Sequence, residues 1–395
     1  MARLNSQSTN KGQRQPNNVA SPKEPPKKHK KLDTSFLIII LVLLTYGIIM
    51  VFSASYASAK NEYGDSMHYI SRHFLFVVGG LIAMFMASYV DYHLYRRVVF
   101  WIFSGAFVLL ALVPIIGTDL GTIAKRWIAV GSFSFQPSEI MKFAVIVLFS
   151  HLIALNYKRM GTFTYGVIPF AICLMAVAGL MMLQPHLSGT VLLFLLGFIM
   201  MFVGGTKLRY FLGLIACGGI GIGGIIAIKG ADYIVGRLQS WLNPFAGNIQ
   251  EETWQIVQSL VAIGSGGLMG RGIGMSRQKY LYLPEPQNDF IFAIICEELG
   301  LIGALMVIVL FIMFALRGFS IASKAPDKFG YMMGVGLTVQ ILIQAVLNIG
   351  VVTSTIPNTG ISLPFFSYGG TALLMQLGQM GILLNISRQA SLEKT

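Results

Sequence analysis

The chain of 395 residues is 55% hydrophobic and only 11% charged, with a formal net charge of +13 and a mean hydropathy of +0.69. A soluble globular domain could not cover so apolar a mass with polar surface, so this class is excluded and a membrane protein is indicated. The basic residues concentrate in the N-terminal tail and alternate loops, where anionic lipid headgroups attract them, so we expect membrane lipids and no nucleic acid as partners.

The N-terminal segment 1–33 is rich in Lys, Pro, Asn, Gln and Ser and carries almost no large apolar residue. Because such a segment cannot bury enough surface to fold, we expect a disordered basic tail. The distribution of Lys and Arg near the apolar runs predicts that this tail and a short C-terminal tail, 389–395, both face the cytoplasm.

Ten apolar runs, each long enough to cross about 30 Å of hydrocarbon, follow the tail. They predict an all-α, polytopic membrane domain over 34–388. Between the seventh and eighth runs lies a long extracytoplasmic loop, about 229–289, and loops of this length are usually functional. The runs are 35–53, 74–91, 98–116, 139–155, 166–183, 187–203, 210–228, 290–316, 330–352 and 364–386.

A first polar cluster, "KRWIAVGSFSFQPSEIMKF", covers residues 125–143. Glu139 and Lys142 are three positions apart, so a helix brings them to one face, either as a structural salt bridge or as a functional pair. Lys125 and Arg126 are adjacent and external, and such cations suit an anionic group such as a pyrophosphate.

The loop and the start of the eighth run contain a second cluster. "QIVQSLVAIGSGGLMGRGIGMS", residues 255–276, predicts an amphipathic helix on the bilayer surface, followed by a close glycine-rich turn. "YLPEPQNDFIFAIICEELG", residues 282–300, then places four carboxylates near the membrane. Asp289 is either a helix N-cap or a general base facing an external cavity. In a continuous helix Glu297 lies about 12 Å deeper, where it and Glu298 form an ion pair or take part in chemistry.

A third cluster, "IPNTGISLPFFSYGGTALL" at 356–374, enters the last run through Pro, Gly and hydroxyl residues. Broken helix ends of this kind expose backbone dipoles to a cavity, although a simple turn with small-residue packing gives the same pattern. No spacing typical of a metal site is present.

Together the three clusters resemble the motifs of the SEDS family (shape, elongation, division and sporulation proteins: FtsW, RodA and SpoVE), with the FtsW/SpoVE branch the more similar. The likeness covers about residues 35–388. It implies a peptidoglycan glycosyltransferase that polymerises lipid II into β-1,4 glycan on the outer face of the bacterial cytoplasmic membrane. It also implies a class B penicillin-binding protein and other division or elongation complex proteins as partners.

The resemblance assigns site residues. Asp289 matches the family's essential loop aspartate and becomes the expected catalytic base. No cofactor is evident, although Mg²⁺ bound through the substrate pyrophosphate would leave little trace in the sequence. In "QPHLSGT" at 184–190, His186 stands where many relatives have an acid, and it is either a satisfied polar group or a substrate contact. The residues expected to bind substrate are Lys125, Arg126, Glu139, Lys142, Glu285, Lys279, Ser367 and Tyr368.

Two other functions compete with the enzyme. A ten-span protein with intramembrane charges and broken helices could be a transporter that flips lipid II. The chain could also be a scaffold that recruits the transpeptidase. The external position of Asp289 and the long outer loop favour the enzyme.

Overall fold

The computed structural model describes residues 32–118, 125–131, 133–184, 186–213, 241–245 and 251–390. Most of the predicted tail 1–33, most of the predicted span 210–228 and part of the predicted loop 229–289 lie outside these residues. The helices of the described part are α1 (Thr34–Tyr63), α2 (His68–Tyr89), α3 (His93–Arg97), α4 (Val99–Ile116), α5 (Pro137–Asn156), α6 (Phe163–Gly166), α7 (Ile168–Met182), α8 (Leu187–Val203), α9 (Glu251–Gly266), α10 (Ile291–Ser323), α11 (Lys328–Val352) and α12 (Gly370–Ala390).

Seven segments of the described chain are helical, apolar and long enough to cross a membrane. They are α1, α2, α4, α5 with the 3₁₀ turn that follows it, α6 with α7, α10 and α11. Helix α8 coincides with the sixth predicted run but has only 17 residues, and α12 begins six residues later than the tenth. The prediction of an all-α, multi-pass membrane protein is confirmed.

Helix ends follow from local chemistry. The Asp33 carboxylate accepts a hydrogen bond from the Phe36 amide at 2.9 Å and caps α1, and Asp327 caps α11 through the Gly330 amide at 3.0 Å. Gly64 ends α1 in the left-handed conformation that glycine adopts without strain. The 30 residues of α1 extend about 45 Å, so its last turns stand clear of the hydrocarbon.

Helix α10 is broken at Gly300, where φ is 65° and ψ is −161°. Residues 301–323 alone are about 35 Å long and can span the bilayer. Glu297 therefore does not need to lie about 12 Å inside the membrane, as a continuous helix would require. Backbone groups freed by the break are paired with the preceding loop, since Arg271 donates its amide to the Glu297 carbonyl and Leu301 donates to Gly267.

Helix α9 confirms the predicted helix in the loop, but its contacts differ from the expected bilayer surface. The Ser259 hydroxyl donates to the Val352 carbonyl at 2.8 Å, and a β-carbon at Gly266 would overlap the Cys296 carbonyl. Ala262 is fully buried. The helix therefore packs along the start of α10 and the end of α11.

A short antiparallel hairpin, β1 (Ile128–Val130) and β2 (Phe133–Phe135), leads into α5 and was not predicted. Trp127 continues its pairing to Thr118, at the end of α4. This pairing holds the basic segment between the end of α4 and the start of α5. The most buried membrane helices are α5 and α11.

Candidate active site

Asp289 lies two residues before α10 and is half-buried. Its main-chain carbonyl accepts a hydrogen bond from the Asn348 side chain of α11 at 2.6 Å. The same amide group donates to the Ile361 carbonyl at 2.7 Å, so one side chain joins the two loops that border the site. Gly360, with φ of 60°, lies so close that a β-carbon there would be 3.3 Å from Asp289 Oδ2.

The surroundings of Asp289 favour its protonated form more than water does. Burial, and after it the Glu285 carboxylate, raise the pKa of its carboxyl, whereas the Arg126 guanidinium lowers it, and together they bring the pKa to about 6. A carboxylate with this pKa is still largely ionised at neutral pH and is a stronger base than an ordinary aspartate. The electrostatics therefore suit a general base.

Arg126 connects the basic segment to Asp289. Burial lowers the pKa of its guanidinium and the Asp289 carboxylate raises it, so the two side chains interact electrostatically, and an arginine remains protonated in proteins. The structure thus places a cation beside the candidate base. Lys125, its neighbour in the sequence, is exposed.

His186 lies near Arg126. Burial, followed by the positive charges of Arg126 and Lys142, lowers the pKa of its imidazole to about 3, which keeps the ring neutral. Its Nε2 atom is 3.3 Å from the Gln136 side-chain nitrogen. His186 therefore lies near both Arg126 and Lys142. This position is compatible with both interpretations of His186, a satisfied polar group and a substrate contact.

Glu139 and Lys142 form the pair that their spacing predicted. Lys142 Nζ is 2.7 Å from Glu139 Oε1, and the residues are 4% and 9% exposed. A buried pair of this kind is costly to break, because the remaining partner keeps an uncompensated charge. Since Lys142 also interacts with His186, the pair belongs to the same polar region as Arg126. Its role in substrate binding stays a prediction.

Lys279 is buried and paired, as Lys142 is. It is 2% exposed, and its ammonium group is 2.9 Å from Glu298 Oε1 and 3.1 Å from the Ser53 hydroxyl. Its contact with substrate stays a prediction. The lysine fastens the loop to α1 and α10.

The two adjacent glutamates of α10 anchor the same loop. Glu297 accepts hydrogen bonds from the Ser276 hydroxyl and from the Arg277 amide, and Glu298 accepts from the Ser276 amide. These bonds give both buried carboxylates partners. The ion-pair interpretation also fits, since Lys279 pairs with Glu298 and Arg271 lies 3.8 Å from Glu297. The hydrogen bonds fix the start of the segment that leads to Asp289.

Three further predicted residues border this segment. The Ser367 hydroxyl donates to the Asn288 carbonyl at 2.7 Å and accepts from the Leu363 amide at 2.8 Å, so backbone groups occupy it. The Tyr368 amide donates to the Gln287 carbonyl at 2.8 Å. Glu285 is exposed and accepts a hydrogen bond from the Asn288 side chain. The third cluster therefore braces the loop next to Asp289.

Asn348 and Gly360 were missed as site residues. The only signal for Asn348 is an amide inside an apolar run, and its two partners are distant in sequence. Gly360 is one of many glycines, and its closeness to Asp289 depends on how the two loops meet. Neither contact is visible without the fold.

The comparisons with known proteins agree over nearly the whole chain. Residues 33–392 match the family described as cell cycle proteins, which unites FtsW, RodA and SpoVE. The chain is 43% identical over 359 residues to stage V sporulation protein E of Bacillus subtilis, covering 90% of this chain and 97% of that protein. It is 36% identical over 374 residues to the probable peptidoglycan glycosyltransferase FtsW of Trichlorobacter lovleyi, covering 92% and 94%.

Two solved structures share the fold at 22% identity. One comes from a study of how a peptidoglycan synthase complex coordinates polymerization and crosslinking, with a TM-score of 0.77 over 92% of this chain and 99% of the other. The second is the crystal structure of RodA from Thermus thermophilus, with a TM-score of 0.66 over 90% and 97%. On the match of sequence along almost its full length, this chain belongs to the FtsW/RodA/SpoVE family of cell cycle proteins.

Proposed function

We propose that this protein is a peptidoglycan glycosyltransferase that polymerises lipid II into β-1,4 glycan for cell division, sporulation or elongation. The observation that carries the proposal is Asp289, a half-buried carboxylate with a raised pKa beside Arg126. The names of its relatives support the same reaction. The site lies at the outer ends of the helices, where a membrane-anchored substrate can reach it.

In this mechanism Asp289 removes the proton from the 4-hydroxyl of the acceptor sugar. The oxygen attacks the anomeric carbon of the donor, and the bond from that carbon to the lipid-linked pyrophosphate breaks. The pyrophosphate leaves with the bonding electron pair, and the proton on Asp289 passes to water afterwards. Each cycle lengthens the glycan and releases undecaprenyl pyrophosphate.

Cations near the base stabilise the departing charge. Arg126 lies beside Asp289, and Lys142 belongs to the same polar region. A fixed positive charge directed at a leaving pyrophosphate acts more strongly in a half-buried site than in water. We assign Arg126 and Lys142 to this role and the exposed Lys125 to the first encounter with the anionic substrate.

A divalent cation is proposed only as a companion of the substrate. Mg²⁺ usually binds substrate phosphates and takes roughly one or two carboxylates from the protein. Among the described residues no three His, Cys, Asp or Glu side chains are grouped as metal ligands. Glu285, exposed next to the candidate base, is the carboxylate placed to meet a phosphate-bound ion.

We also infer the partner and the orientation. The similarity of fold to a chain from a peptidoglycan synthase complex supports a class B penicillin-binding protein as partner, within a division or elongation complex. The Asp33 amide donates to the Ser387 hydroxyl at 3.3 Å, so α1 begins and α12 ends on the same side. With the basic tail inside, both termini face the cytoplasm of a bacterium and Asp289 faces outward.

The test uses the purified protein with its transpeptidase partner and lipid II in detergent, compared with the protein in sealed vesicles. The proposal predicts glycan polymer in detergent. A transporter would instead move lipid II across sealed vesicles without forming polymer, and this result would replace the proposal. A scaffold would do neither.

A further inference from the structure

A group of aromatic rings lies at the end of α1 that is past the hydrocarbon, next to the loop that carries Asp289. We call Tyr63, His68, Tyr69 and Tyr368 the aromatic platform. The Tyr63 and His68 rings are stacked, with centroids 3.8 Å apart and planes at 5°. Tyr69 meets the edge of Tyr63 at 5.7 Å and that of Tyr368 at 5.0 Å. The rings therefore form one continuous surface from the end of α1 to the start of α12.

The platform is joined to the active site by its backbone. The Tyr368 amide donates to the Gln287 carbonyl, two residues before Asp289. Glu62, next to Tyr63, is close enough to Glu285 for the two carboxylates to repel each other. The platform thus borders the site at Tyr368, and its Tyr63 end lies near Glu285.

Membrane anchoring does not account for this arrangement. Interfacial tyrosines lie singly at the headgroup level, and Tyr63, at the end of a helix of about 45 Å, lies at that level or just beyond it. Anchoring needs no contact between such rings. Here the rings contact each other across three parts of the chain. Beneath Tyr368, at 6.0 Å, lies the His73 ring, which is fully buried with neither nitrogen hydrogen-bonded.

The chemistry of the platform matches a saccharide. Sugar rings present C–H faces that pack on aromatic rings, and their hydroxyls donate to carboxylates. Tyr63 is 53% exposed, so part of its ring is available. The Tyr69 hydroxyl donates to Glu62 at 2.6 Å, which places a carboxylate beside the rings.

We propose that the aromatic platform binds the glycan strand next to Asp289, holding successive sugar residues between rounds of transfer. This inference rests on the proposed glycosyltransferase activity. A strand held in this way stays on the enzyme for more cycles, so the platform sets the length of the product.

The experiment compares Tyr63→Ala, Tyr63→Trp and the control Tyr56→Ala in the purified complex with lipid II, and measures product length on gels. Tyr56 lies on the same helix two turns nearer the bilayer, 39% exposed, and its ring meets Phe52. Losing one aromatic contact worth about 0.5–1.5 kcal/mol shortens the strands in Tyr63→Ala by roughly two- to twelvefold. Tyr63→Trp keeps a ring and retains long strands, as does Tyr56→Ala.

Binding is measured separately with a soluble β-1,4-linked N-acetylhexosamine tetramer and Asp289→Asn protein, which bears an intact platform. We expect saturable binding that Tyr63→Ala weakens by roughly two- to twelvefold. The proposed role of the platform is contradicted if native protein and Tyr63→Ala make strands of equal length, or if Tyr63→Ala binds the tetramer as tightly. Either result leaves the proposed polymerase activity intact. Failure of the native protein to form any polymer overturns the proposed function, and the tetramer measurement still reports on the platform.

Discussion

At the scale of single residues, the reactivity of Asp289 depends on side chains from distant parts of the chain. Burial and Glu285 raise the pKa of its carboxyl and Arg126 lowers it, which gives a net value of about 6. Asn348 holds the backbone of the same residue. Three parts of the chain therefore determine the pKa and position of Asp289: its own loop through Glu285, the segment before the β-hairpin through Arg126, and α11 through Asn348.

This balance predicts the pH dependence of polymerisation. Only the ionised carboxylate accepts a proton, so kcat/KM falls as pH falls through about 6 and reaches about a tenth of its plateau near pH 5. Arg126→Gln removes the charge that lowers the pKa of Asp289, so its midpoint moves to higher pH. Initial rates in buffers of constant ionic strength measure both profiles. A native midpoint near 4, or one that Arg126→Gln leaves in place, contradicts the assignment.

The Glu139–Lys142 pair allows a second test, which separates stability from activity. Lys142→Met leaves a buried carboxylate without its partner, and we expect a loss of about 3–5 kcal/mol in the free energy of unfolding. Glu139→Gln with Lys142→Met removes both charges and recovers most of that loss.

If Lys142 stabilises the leaving group, polymerisation stays about 10² lower in both variants of this test. Melting in detergent and polymer formation are measured on the same samples. A double variant that recovers activity together with stability identifies a structural salt bridge only.

How much of the site the sequence could predict depends on the distance between partners. The 139/142 spacing predicted the ion pair because both residues lie on one helix. The contacts of Lys279 with Glu298 and Ser53 could not be predicted, because these partners are distant in the sequence. Arg126 was grouped with Lys125 by adjacency, although only Arg126 is shown interacting with Asp289.

At the scale of elements, the packing of α9 against α10 positions the loop. The break at Gly300 accepts backbone hydrogen bonds from the segment after α9, and Glu297 and Glu298 hold the next residues. Hydrophobic periodicity predicted α9 as a helix. It could not predict the break, because residues 290–316 are continuously apolar apart from the two glutamates and a few small residues.

Two glycines of α9 provide a matched test of this packing. A β-carbon at Gly266 overlaps the Cys296 carbonyl, whereas one at Gly264 meets no atom within 4 Å. Gly266→Ala should therefore force α9 away from α10, with a loss of about 1–3 kcal/mol and of most activity. Gly264→Ala should keep activity and add up to about 1 kcal/mol through helix propensity. Equal melting temperatures and activities for the two variants contradict the close packing.

At the scale of the whole molecule, the hydropathy pattern predicted most of the architecture. Apolar runs of the length of a membrane span are sufficient for this, since a helix is the simplest way to satisfy backbone groups in lipid. The start of the tenth run was wrong by six residues because "PFFSYG" before Gly370 is apolar but forms a loop that braces Asn288 and Gln287. The β-hairpin was missed because its strands have three residues each.

The orientation predicts which turns are reachable from outside the cell. In a background with Cys173, Cys217 and Cys296 changed to Ala, Ser66→Cys in the α1–α2 turn should react with a membrane-impermeant maleimide in intact cells. Thr162→Cys, in the turn before α6, should react only after the cells are permeabilised. The reverse pattern would place Asp289 in the cytoplasm and exclude the proposed reaction on the outer face.

The central claim is that the Asp289 carboxylate is the base for glycan polymerisation. Asp289→Asn keeps the size of the side chain and the backbone carbonyl that Asn348 holds, but it cannot accept the proton at neutral pH. The most direct measurement is the single-turnover rate of glycan formation by native and Asp289→Asn protein of matched melting temperature. We predict a fall of about 10²–10⁴ in that rate, and a variant that forms glycan within about threefold of the native rate would contradict the account.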